Sequence, residues 1–254
     1  VFQQQLFGQA VSSLARQNAD QSSRTMGHRL SADVKHTLRD GQDVRLRTNL
    51  RVNTADLTNV SARETRNAGD GLENSSDTRY TSARDGLTGD ARLTYRLRVG
   101  QGRSIVADAQ ASLDDADLDG TLDATNRFYE TGNLLTTEEI AQLQQQTTNT
   151  FTHRQKLTYT EPLGSKRFLQ FQAEHRAVQE DQDRAVFDGL AGSSSRIDSL
   201  SSAFERTYRY LLGGATFRSN GDARQFSAGL DVQQSTLDGA VVGAGASVDK
   251  RYVH

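Results

Sequence analysis

The stretch "HRLSADVKHTLRDGQDVRLRTNLRV", residues 28–52, decides the fold. His28, Leu30, Ala32, Val34, His36 and Leu38 alternate with Arg29, Ser31, Asp33, Lys35 and Thr37. Asp40-Gly41 then turns the chain, a strong hairpin dipeptide because glycine tolerates positive φ. Beyond it Val44, Leu46, Thr48, Leu50 and Val52 alternate with Arg45, Arg47, Asn49, Arg51 and Asn53. Period-two spacing puts apolar side chains on one face of a strand and polar ones on the other. The stretch predicts a hairpin with one greasy and one wet face.

Three further hairpins follow the same rule. Ala91, Leu93, Tyr95, Leu97 and Val99 lead through "GQG" (100–102) to Ile105, Ala107, Ala109, Ala111 and Leu113. Leu157 and Tyr159 lead through Glu161, Pro162, Leu163 and Gly164 to Leu169, Phe171 and Ala173. Tyr208, Tyr210 and Leu212 lead through "SNGD" (219–222) to Phe226, Ala228, Leu230 and Val232. This predicts an all-β fold of about eight long antiparallel strands in four up-and-down hairpins. Long polar loops are expected at 55–88, 114–148 and 179–203, and "TTEEIAQLQQ" (136–145) reads as a helix within the second, with a Thr cap and acidic residues in its first turn.

Composition narrows the classes. The 254 residues carry 24% charged side chains at a net charge of -2, so no global field favours nucleic acid. There is no cysteine, which excludes disulfide scaffolding and thiolate metal sites. No run approaches the ~20 apolar residues of a transmembrane helix, which leaves a membrane β-barrel open. The opening "VFQQQLFGQAVSSLARQ" has no basic segment followed by an apolar core, and "ASVDKRYVH" stops as another strand begins. The chain therefore reads as part of one β-barrel domain, 1–254, excised from something longer, without signal peptide or plug.

A soluble sandwich and a transmembrane barrel share this alternation: leucines face a core in the first and lipid in the second. Strand length, short turns opposed to long loops, and a polar face mixing both charges favour the barrel. The absence of tryptophan and the 7% aromatic content cut the other way, so an interfacial girdle must rest on Tyr and Phe.

Some motifs are familiar. Tyr159, Glu161, Pro162 and Leu163 end one strand; Phe204, Glu205, Thr207 and Tyr208 open another; Gly229, Leu230, Asp231, Gln233, Ser235, Leu237 and Gly239 run through a third. These patterns resemble the outer-membrane β-barrel family found beside TonB-dependent receptors in Bacteroidota-like bacteria, and residues 28–52 are similar to its first hairpin in this region. The resemblance implies a bacterial outer-membrane barrel of about 22 strands around a plug, of which this chain is roughly a third. It implies uptake of a solute or nutrient, with outer-membrane lipid and a TonB-type energy transducer, acting through the plug, as partners. The family has no catalytic residues to carry over.

Two constellations stand out. Asp115, Asp117, Asp119, Gly120 and Asp123 match the first half of a calcium loop, although Asn126 stands where a bidentate carboxylate belongs. The plainer reading is an acidic, solvated loop, with no cofactor. The rows Arg45, Arg47, Arg51 and Arg92, Arg96, Arg98 would line a lumen, either attracting anionic solutes or pairing with acidic rows such as Asp33 and Asp108. His28, His36, His153 and His175 show no metal spacing. No phosphate loop, nucleophile elbow or paired-carboxylate site is visible, so the chain does not read as an enzyme. The expected function is the wall of a solute-uptake barrel; the alternative is a non-transporting surface β protein, an adhesin or binding module.

Overall fold

The computed structural model describes residues 2–7, 10–100, 102–164, 166–189, 195–221, 224–242 and 246–253. Gln101 and Asp222, within two of the expected turns, lie outside the described residues. The chain is all-β. It forms β1 (Phe2–Phe7), β2 (Ala10–Arg39), β3 (Gln42–Asn67), β4 (Leu72–Val99), β5 (Arg103–Glu130), β6 (Asn133–Pro162) and β7 (Arg167–Asp188). A two-residue β8 (Ser195–Arg196) and a 3-10 turn (Asp198–Leu200) precede β9 (Ser202–Asn220), β10 (Gln225–Val242) and β11 (Ala246–Val253). Every long strand is antiparallel to its sequence neighbour in a single up-and-down sheet, with β8 paired only to β7. The sheet is open: no pairing joins β1 to β11 among the described residues.

The four hairpins fall where the alternation places them, and their turns share one end of the sheet. The first two expected long loops do not form; the third yields 179–188 to β7 and 202–203 to β9, and its residues 190–194 lie outside the described residues. Residues 55–67 continue β3, 72–88 lie in β4, 114–130 in β5, 133–148 in β6 and 179–188 in β7. These segments carry polar residues on one or both faces, so the hydrophobic alternation fades while the hydrogen-bonded ladder runs on. Strands β2 to β6 are 26 to 30 residues long, roughly 90 Å at the usual rise per residue.

At the far end, the described β3–β4 and β5–β6 connections are tight turns. Thr131 and Gly132 both take positive φ, 49° and 84°, as a two-residue hairpin turn requires. At 68–71, Asn67 Oδ1 accepts the Gly69 and Gly71 amides at 3.0 and 2.9 Å.

The expected helix at 136–145 is strand. Residues 133–160 of β6 pair with β5, and from Gln142 onward also with β7. One ladder over 136–141 and two over 142–145 outweigh the local helix propensity of Glu, Ala, Leu and Gln, which is only a few tenths of a kcal/mol per residue. No helix is long and apolar enough to cross a membrane, which says nothing of crossing by strands.

The sheet is one layer thick. Among the described residues the buried hydrophobics are only Ala177 and Val186. Its apolar side chains have no second sheet to pack on.

Candidate functional site: an apolar belt backed by a polar face

The pairing register sorts every side chain to one of two faces. Val34, Leu46 and Leu93 share a leucine face; Asp33, Arg47 and Arg92 share an arginine face. Tyr208, Tyr210 and Leu212, read from sequence as the apolar row of β9, lie on the arginine face. Their alternates Leu211, Gly213, Ala215 and Phe217 take the leucine face. The error came from counting tyrosine as apolar without knowing its cross-strand neighbours.

On the leucine face no Asp, Glu, Lys or Arg occurs at residues 26–38 of β2, 44–52 of β3, 87–97 of β4 or 105–113 of β5. The same holds for 151–159 of β6, 169–177 of β7, 211–217 of β9 and 226–232 of β10. Just beyond, away from the four hairpin turns, the same face carries Arg24, Asp56, Asp85, Asp115, Asp181 and Arg209. The charge-free zone is thus a continuous belt, edged by charge within a few residues on the other strands and running on along β6 as far as Ala141. Many of its leucines are exposed: Leu30 at 68%, Leu93 at 45%, Leu157 at 51% and Leu230 at 76%.

The belt is oblique to the strands. Followed through the register from β2 to β10, its centre descends toward the turns by about one residue per strand, a slope that corresponds to strands tilted by about 35°. Most of its spans match the ~9–11 residues of a tilted membrane strand.

Aromatic rings mark both edges. Near the turns, Tyr159 stacks on Phe171 with centroids 6.4 Å apart, and Phe217 meets Phe226 at 6.5 Å. Toward the far edge, His153 lies 5.9 Å from Phe151 and 5.4 Å from His175. All four of the singled-out histidines lie on the leucine face.

The opposite face of the same segments is a field of ion pairs. Arg45 Nε donates to Asp33 at 2.7 Å, and Arg47 Nε lies 3.3 Å from the same carboxylate. Arg92 Nε and Thr94 Oγ1 each donate to Asp108 Oδ2 at 2.8 Å. Glu174 is 6% exposed and accepts two bonds from Arg154, both at 2.7 Å, with the Tyr210 hydroxyl and Lys156 beside it. A carboxylate so desolvated is held ionised only by partners of this quality. The sequence did not reveal this cluster, because Arg154, Glu174 and Tyr210 sit on three strands whose relative register no local pattern encodes.

All six singled-out arginines reach the arginine face. Arg45, Arg47 and Arg92 are paired as above, Arg51 donates to Asn53 at 2.7 Å, and Arg96 and Arg98 have no ion pair among the described residues.

The four aspartates are placed differently from the loop expectation. Asp115, Asp117, Asp119 and Asp123 lie along extended β5, on the leucine face beyond the belt. Ala116, Leu118, Leu122 and Ala124 point the other way, so the calcium-like spacing is strand alternation. Alternate residues on a strand stand about 6.7 Å apart, too far for all to reach one ion at about 2.4 Å. Among the described residues no three His, Cys, Asp or Glu side chains gather to hold a metal. Asp115 instead accepts from Asn149 at 3.4 Å. Further along β5, Arg127 donates to Asp77 at 2.7 Å, which pushes the guanidinium pKa above its ordinary value.

Comparison with known families, curated proteins and solved structures returns no match.

Proposed function

We propose that this chain is part of the wall of a bacterial outer-membrane β-barrel that admits a solute across the membrane. The observation that carries the reading is the tilted, charge-free belt: exposed leucines on one face, aromatic rings at both edges, ion pairs on the other face. A bilayer gives such a belt its missing cover, and a hydrated interior accommodates paired charges. A soluble sandwich would have to supply a second sheet over the leucines, and the described residues contain one layer only.

In this reading the short turn at 40–41 and the β6–β7 connection lie at the periplasmic rim, and the strands run far past the outer rim into the medium. The arginine face lines the lumen. Further strands close the barrel between β1 and β11. The family resemblance adds the remaining parts of the proposal: a plug, a TonB-type energy transducer and uptake of a nutrient too large to diffuse.

The test places an epitope in the β5–β6 turn, at Thr131–Gly132, in the full-length parent protein. The proposal expects the protein in the outer-membrane fraction, with the tag removed by protease added to whole cells. A protein found in the soluble fraction would sink the proposal. One found in the membrane with a protected tag would reverse its orientation.

A further inference from the structure

Beneath the belt, the arginine face of β2, β3 and β4 holds nine side chains in a grid. The register sets Thr37, Asp43 and Arg96 in one row, Lys35, Arg45 and Thr94 in the next, and Asp33, Arg47 and Arg92 in the third. Two direct cross-strand pairs carry like charges: Lys35 against Arg45, and Arg47 against Arg92. Such pairs repel and destabilise a sheet unless something negative stands between them.

The resident carboxylates do not suffice. Asp33 serves Arg45 and Arg47, and Asp108 serves Arg92 from the neighbouring strand. Asp43 lies across from Arg96 without an ion pair between them. Lys35 and Arg96 have no ion pair among the described residues. Five cations therefore face three carboxylates in a chain whose net charge is -2. Between the cations lies a cavity of about 220 Å³, lined by Lys35, Arg45, Arg47, Arg92 and Arg96, with Asp43 and Thr94.

We infer that this cavity is a binding site for a compact, doubly charged oxyanion, such as the phosphate group of a solute. The excess of two positive charges sets the ligand's charge. Lys35 and Arg96 supply unused donors, and Thr94 is already spent on Asp108. Arginine's planar fork suits a tetrahedral oxyanion, and the fields of five cations add in one cavity. The inference deepens the proposed function by giving the solute a chemical class, and it rests on the arginine face lining a water-filled lumen.

The experiment titrates inorganic phosphate, held as the dianion by mildly alkaline buffer, into the full-length protein in detergent micelles, by calorimetry. The wild type binds, Lys35→Gln with Arg96→Gln binds at least tenfold more weakly, and Arg79→Gln on the leucine face binds within twofold of wild type. Equal binding by the double variant, or no binding by the wild type, overturns the site. If the double variant fails to fold, the wild type still answers: bound inorganic phosphate protects Lys35 from acylation by an N-hydroxysuccinimide ester. Unchanged acylation overturns the site. Cell fractionation tests the membrane separately, so a membrane protein that ignores phosphate loses the anion site alone.

Discussion

Leu93→Arg puts a charge at the middle of the belt on β4. Leu93 is 45% exposed on the bare sheet, so lipid covers about half of a side chain whose full burial is worth roughly 2 kcal/mol. The substitution forfeits about 1 kcal/mol of that contact and adds the penalty for a guanidinium at mid-bilayer depth. With that penalty at about 2–4 kcal/mol, the two together give about 3–5 kcal/mol. Ala83→Arg, further along the same face of the same strand but past the belt's edge, enters water and changes stability by about 0.5 kcal/mol or less. Urea titration of the full-length protein in lipid vesicles, followed by the folded-to-unfolded gel shift, compares the two. Equal penalties, or a Leu93→Arg penalty below about 1 kcal/mol, would refute the idea that depth in a bilayer governs this face.

Two other perturbations test the framework. Glu174→Gln removes the buried charge that Arg154, Lys156 and Tyr210 share, and is expected to lower stability by about 2–3 kcal/mol in the same titration; an unchanged midpoint would show the cluster to be dispensable. Gly41→Ala forces a side chain into φ +77°, with its Cβ 3.2 Å from the Arg98 carbonyl oxygen, and is expected to lose about 1–2 kcal/mol. A neutral outcome there would mean that the β2–β3 turn adopts another geometry.

The sequence made the belt legible because there one face must be apolar. Leu30 to Leu38, Val44 to Val52 and Ile105 to Leu113 obey a strict period of two, and the hairpins between them are right to within a residue or two. Outside the belt both faces are free to be polar. Residues 114–123 and 136–145 therefore looked like a loop and a helix, although backbone pairing with neighbouring strands makes both of them strand. Local propensity misleads where tertiary pairing decides. The arginine rows were visible as rows, and their partners Asp33 and Asp108 were readable from alternation. The Arg154–Glu174–Tyr210 cluster and the Lys35–Arg96 cavity were not, since both depend on how strands distant in sequence align. A one-residue slip would move every one of these side chains to the other face.

The central claim is that the leucine face meets lipid and the arginine face meets water. The chain has no cysteine, so single cysteines placed one at a time from Leu87 to Leu97 report without background. The full-length protein is reconstituted in vesicles containing brominated acyl chains. Fluorophores at the odd positions should be quenched, while the even positions react with an aqueous maleimide. Aqueous labelling that is equally fast at odd and even positions, with no quenching by the brominated chains, would contradict the account.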